Sequence, residues 1–126
     1  MSALAKTALV FLGGGTGACL RYWTGFLLSR SYPAEFPWPT LLINVLGSLA
    51  IGAVLARNPR ETVYLLAAAG LLGGFTTFST FSYEAVTLLR RGETASALLY
   101  MGLSVGLCVL GAGLGLWLFG TGKTPA

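Results

Sequence analysis

Long apolar runs separated by short polar links organise this chain, at 7–29, 38–56, 62–89 and 94–119. Each is long enough to cross a hydrocarbon core of ~30 Å as a helix. The first run begins after Lys6, as a signal peptide would, but stays apolar past Gly17-Ala18 to Leu28. That length argues for a retained helix. In the second, Trp38 marks a membrane interface and Pro39 falls in the first helical turn, where a missing N–H costs little. The links are 30–37, 57–61 and the tight polar turn Arg90-Arg91-Gly92-Glu93, and the tail 120–126 is short, polar and expected to fray. The pattern predicts an all-α membrane protein: one transmembrane domain, 1–126, of four helices.

The third run departs from the others. Wholly helical, it would be ~42 Å long at ~1.5 Å per residue, well over the ~30 Å core. It carries Gly70, Gly73, Gly74, Thr76 and Thr77 within one short window, all poor helix formers. A helix broken near Gly73–Thr77 accounts for the excess length. Irregular backbone at membrane depth is tolerated only inside protein or beside a wet cavity, so a break here predicts a binding site.

Polar residues inside the runs fall at helical spacing. Thr40, Asn44 and Ser48 share one face of the second helix, and Tyr100, Ser104 and Cys108 share one face of the fourth. Asn44 reads either as a hydrogen bond between helices or as a pore-lining donor. Arg21 either snorkels to the interface or stands at the mouth of an anion path. Glu84, the only acid well inside a span, either caps or pairs with Arg90 or Arg91, or faces an aqueous vestibule. Gly13/Gly17, Gly102/Gly106 and Gly111/Gly115 form GxxxG faces suited to close helix packing and to an oligomer. A GxGxxA pattern starting at Gly13 lacks the preceding strand and the later acid that dinucleotide binding requires.

Composition narrows the chemistry further. Of 126 residues, 55% are hydrophobic and 10% charged, which excludes an ordinary soluble domain. There is no His and no Asp, and the two cysteines lie far apart, so neither a hydrolytic triad nor a zinc site can be assembled and an enzyme is not expected. The net charge of +4 sits at segment ends, marking membrane topology rather than a nucleic-acid surface. Lys6, Arg57, Arg60 and Lys123 fall on one side, against Arg30, Arg90 and Arg91 with Arg21 leaning the same way. That near balance gives no preferred orientation and permits an antiparallel homodimer.

Phe75, Phe78 and Phe81 recur every third residue through the window. They read as packing aromatics, or as ring edges turned with hydroxyl and amide donors towards a path for a small hard anion. Carbonyls freed by the break, near Gly73 and Thr76, suit a small cation such as Na⁺, and a two-fold axis would collect them from two subunits.

Three stretches together carry a resemblance: Gly-Gly-Gly-Thr-Gly-Ala-Cys-Leu-Arg-Tyr at 13–22, Thr-Leu-Leu-Ile-Asn-Val-Leu-Gly-Ser at 40–48, and Gly-Gly-Phe-Thr-Thr-Phe-Ser-Thr-Phe-Ser at 73–82. With four short spans around them, the chain resembles the CrcB/Fluc family of fluoride channels over nearly all its length. The resemblance implies an antiparallel, dual-topology homodimer with two fluoride pores in the bacterial inner membrane, passing fluoride outward passively. It implies a structural Na⁺ held by main-chain oxygens, here of Gly73 and Thr76. It places Phe78, Phe81 and Asn44 in the pore with Thr40 one turn away. It puts Ser79, Thr80, Tyr100 and Ser104 along a polar track, and Arg21 and Glu84 at vestibules. Cys108 departs from the small hydroxyl expected there, and a thiol is a weaker donor. The rivals are a small multidrug-type proton antiporter, for which the first span lacks a carboxylate, and a non-transporting assembly subunit, which would not need the polar stripes.

Overall fold

A computed structural model of the chain describes residues 1–122, all helix and connecting turns. Lys123 and the rest of the tail expected to fray lie outside the described residues. Helix α1 covers Ala3–Ser29 and α2 covers Trp38–Ala56. A third unit, Glu61–Arg90, is built in pieces: α3 (Glu61–Val63), a π-helical stretch (Tyr64–Leu72), α4 (Gly73–Phe75) and α5 (Phe78–Arg90). Helix α6 covers Thr94–Phe119. Taking the third unit whole, four helices are long and apolar enough to cross a membrane.

Local chemistry sets the ends. Helix α1 starts ahead of the apolar run because the Ser2 hydroxyl accepts from the Ala5 N–H at 3.2 Å, an N-cap that draws Lys6 into the helix. Lys6 then pairs with Glu61, tying the start of α1 to the start of α3. Beyond α2, Asn58 adopts φ of 46°, a left-handed conformation that Asn tolerates better than most, and Pro59 follows it. Gly92, at φ of 79°, makes the turn between α5 and α6. The π-helical stretch was not expected. Its Leu- and Ala-rich pattern is too uniform to distinguish a π from an α pitch.

The helices pack mainly as two pairs, α1 against the third unit and α2 against α6. Both pairs meet backbone to backbone through glycine. A Cβ at Gly13 would collide with the Leu66 carbonyl oxygen, and one at Gly17 with that of Leu71. In the other pair, Gly52 faces the Ala112 carbonyl and Gly115 faces that of Leu49. So the Gly13/Gly17 face packs within this chain, as does Gly115. Gly102 and Gly106 meet nothing within 4 Å. A buried cluster of Leu41, Phe81, Ala85, Leu88, Ala97 and Tyr100 joins α2, α5 and α6.

Gly17→Ala forces α1 away from backbone that cannot yield, and the expected destabilisation is about 1–3 kcal/mol by thermal unfolding in detergent or lipid. Gly15→Ala, which meets open space inside a helix, should be at least as stable as the parent.

Candidate functional site

Helical backbone stops at Phe75 and resumes at Phe78, and the residues between are extended: Thr76 at φ −83°, ψ 158° and Thr77 at φ −149°, ψ 121°. The gap is held open from α2. Asn44 Nδ2 donates to the Thr77 carbonyl at 2.9 Å, and Asn44 Oδ1 accepts from the Thr77 N–H at 2.8 Å. One side-chain amide thus satisfies both backbone groups of one residue. In a continuing helix that N–H would close on the Gly73 carbonyl. The Thr80 N–H, which would close on Thr76, instead donates to Thr77 Oγ1 at 3.2 Å, making Thr77 the N-cap of α5. The carbonyl oxygens of Gly73 and Thr76 are thereby released from those helical bonds. Arg21 Nε donates to the Gly74 carbonyl at 3.0 Å, so a cation already faces the break.

A second polar centre lies in the core nearby. Thr40 Oγ1 donates to Glu84 Oε1 at 2.6 Å, and the Tyr100 hydroxyl reaches Glu84 Oε2 at 3.4 Å. Tyr100 is completely buried. Pairing of Glu84 with Arg90 or Arg91 is therefore corrected. Its carboxylate points into the bundle, where hydroxyls of α2 and α6 meet it, and among the described residues the ion pair is Lys6–Glu61. Metal-binding clusters of His, Cys, Asp or Glu are absent among the described residues.

Two cavities separate the residues singled out from sequence. One, of about 380 Å³, brings together Asn44, Gly73, Thr76, Phe78, Phe81 and Ser104 from α2, the third unit and α6. The other, of about 340 Å³, is lined by Glu84 with Glu35 and Arg91. Thr40 and Tyr100 reach that second space through Glu84, not the first. Ser79 is exposed and Thr80 half-buried, both beside the Thr77 hydroxyl at 3.3 and 3.2 Å and outside both cavity linings. The two phenylalanines differ in setting: their centroids are 5.3 Å apart, yet Phe78 is 77% exposed and Phe81 only 8%. Phe81 packs on Tyr100 at 5.2 Å, while Phe78 projects outward from this chain. Thr77 is the capping residue at the break that sequence reasoning missed. Its signal was present, because a Thr before an amphipathic stretch is a standard N-cap.

These features define a multi-pass membrane protein with a largely apolar cavity, carrying a few polar groups, beside interrupted backbone. Residues 8–116 match the family described as CrcB-like protein, Camphor Resistance (CrcB). Among similar proteins, one from Hyphomonas neptunium is 47% identical over 116 residues, covering 87% of this chain and 91% of its own. One from Thermus thermophilus is 46% identical over 101 residues, covering 77% and 81%. One from Phocaeicola vulgatus is 43% identical over 114 residues, covering 87% and 94%. All three are named fluoride-specific ion channel FluC. The chain belongs to the CrcB/FluC family, a family of ion channels and not of enzymes.

Asn44→Ala strands the Thr77 N–H and carbonyl, at about 1–3 kcal/mol for each unsatisfied group. The expected outcome is a lower unfolding temperature in lipid together with faster hydrogen exchange at the Thr77 amide. Thr77→Val, which keeps the shape but loses the cap, should cost about 1 kcal/mol.

Proposed function

We propose that this chain is a fluoride channel, passing fluoride passively out of a bacterial cell across its inner membrane. The single observation that carries the reading is the cavity in which Asn44, Phe78, Phe81 and Ser104 converge beside the interrupted third unit. The names of the relatives agree with it. Fluoride is small and strongly hydrated, so its passage needs donors that replace water in steps without a trap too deep to leave. Asn44 keeps one amide N–H beyond the bond it makes to Thr77, and the Ser104 hydroxyl is buried with no partner among the described residues. Ring edges of Phe78 and Phe81 add positive quadrupole character. Helix α5 also begins at this cavity, and a helix N-terminus favours an anion. We assign Ser79 and Thr80 to the polar track continuing from Thr77. Thr40 and Tyr100 belong to the stretch leading to Glu84, and Arg21 and Glu84 stand at the vestibules.

In this reading residues 1–126 form one transmembrane domain, the break at Thr76–Thr77 lies mid-membrane, and two copies pair antiparallel with dual topology. Outward-facing Phe78 and the unpartnered Gly102/Gly106 surface support a second copy. So does the near-even split of basic residues between the two sides. Each protomer then contributes one of two pores. The main-chain oxygens of Gly73 and Thr76, released from helix bonding, are hard neutral donors of the kind a sodium ion takes. From two copies they would hold a structural Na⁺ that neutralises their converging dipoles and staples the dimer. Asn44 and Thr77 keep those oxygens available.

Fluoride efflux from proteoliposomes, run beside chloride and a lipophilic cation, tests the reading. Wild-type vesicles should release fluoride alone. Phe78→Ile and Phe81→Ile should each lower the rate by at least tenfold while remaining dimeric, and unchanged flux in both variants would refute the pore. A C-terminal tag should be accessible from both faces of the membrane. Accessibility from one face only would rule out dual topology.

A further inference from the structure

Helix α5 links the two cavities. Phe81, Glu84, Leu88 and Arg91 recur at spacings of three and four, so they share one of its faces. Arg91, the C-cap, still holds right-handed helical geometry at φ −80°, ψ −1°. Phe81 lines the first cavity, and Glu84, Leu88 and Arg91 line the second. Arg91 therefore lies about 15 Å along the helix from Phe81, at ~1.5 Å per residue. Tyr100 bridges the two spaces: its ring packs on Phe81 at 5.2 Å, and its hydroxyl meets Glu84 Oε2 at 3.4 Å. The link over the second cavity is stiff. Pro33 and Pro37 fix two of its φ angles, and Phe36 packs near a right angle on Tyr100 with centroids 5.5 Å apart.

The charges of this second space bear directly on an anion. Glu35 and Glu84 line it, and carboxylates repel fluoride. Among the described residues lining it, Arg91 is the one cation. Its side chain is exposed and makes no ion pair among the described residues, so no carboxylate cancels it at close range. Arg90, the next residue back, carries the same charge but lies outside the lining.

We propose that Arg91 draws fluoride into the mouth of the route, offsetting Glu35 and Glu84 there, an assignment that rests on the pore reading above. A charge at the entrance of a cleft raises the local concentration of the opposite ion and its rate of entry, and salt screens the effect. An exposed guanidinium concentrates the anion without forming a trap too deep to leave. Arg91 thus sets throughput when fluoride is scarce, whereas Phe78 and Phe81 act further in.

Single-channel fluoride current in planar bilayers, at fixed low fluoride with ionic strength set by an impermeant salt, is the test. At ~0.01 M ionic strength, where screening reaches ~30 Å, Arg91→Gln should lower the current about threefold. Arg91→Lys, which keeps the charge, should conduct as the parent does. Glu35→Gln should raise the current, and Arg90→Gln should leave it unchanged. At ~1 M, where the screening length is ~3 Å, the Arg91→Gln deficit should vanish. A deficit that persists in high salt, or that Lys does not restore, gives Arg91 a structural role and overturns the proposal. So does a current equal to the parent's in Arg91→Gln at low salt, or an equal fall in Arg90→Gln. Should Arg91→Gln fail to assemble, Glu35→Gln decides: a rise that salt abolishes supports the charged mouth, and no rise overturns it. A parent that carries no fluoride current overturns the pore reading itself, and this assignment with it.

Discussion

A single side-chain amide, that of Asn44, stands in for the helix at the point where the helix fails. Its oxygen and nitrogen meet the N–H and carbonyl of Thr77 at 2.8 and 2.9 Å. Without it, the extended backbone would leave the N–H and carbonyl of Thr77 unpaired inside the bundle. With it, the chain between Phe75 and Phe78 can remain extended, and helical carbonyls upstream lose their usual partners. Thr77 completes the change by capping α5 with its own hydroxyl. Both the released oxygens and the N-terminal end of α5 follow from that one interaction.

Glycine packing brings the rest within reach. Gly13, Gly17 and Arg21 recur at four-residue intervals, so they share one face of α1. Gly13 and Gly17 let α1 approach the third unit until backbone meets backbone, and Arg21 then reaches the Gly74 carbonyl one turn on. That bond offers one explanation for Arg21 that neither snorkelling nor an anion mouth supplied: it occupies a carbonyl that the break would otherwise leave open. Across the bundle, Glu84 gathers Thr40 from α2 and Tyr100 from α6. Those two hydrogen bonds tie α2 and α6 to α5.

The four apolar runs were legible because length and hydropathy are local properties, and they coincide closely with the four membrane-length helices. The glycine face of α1 was legible from spacing alone. Partners were not. Asn44 and Thr77 are 33 positions apart, and Glu84 and Thr40 are 44 apart, separations that no periodicity encodes. Of the two readings of Glu84, pairing with its sequence neighbours Arg90 and Arg91 gives way to hydroxyl partners on α2 and α6. Phe78 and Phe81 looked equivalent at a spacing of three, yet helical rotation sends one into the core and the other outward. The π pitch over Tyr64–Leu72 arises where Gly13 and Gly17 press their helix onto that stretch, a tertiary circumstance absent from the local pattern.

Backbone carbon chemical shifts of Thr76 and Thr77, read by solid-state NMR on labelled protein in lipid bilayers, test the central claim most directly. Extended-chain shifts at those two residues, flanked by helical shifts at Gly74 and Ser79, and a change at Thr77 when Asn44 is replaced by Leu, are the expected result. Helical shifts running unbroken from Gly73 to Thr80, indifferent to the residue at position 44, would contradict it.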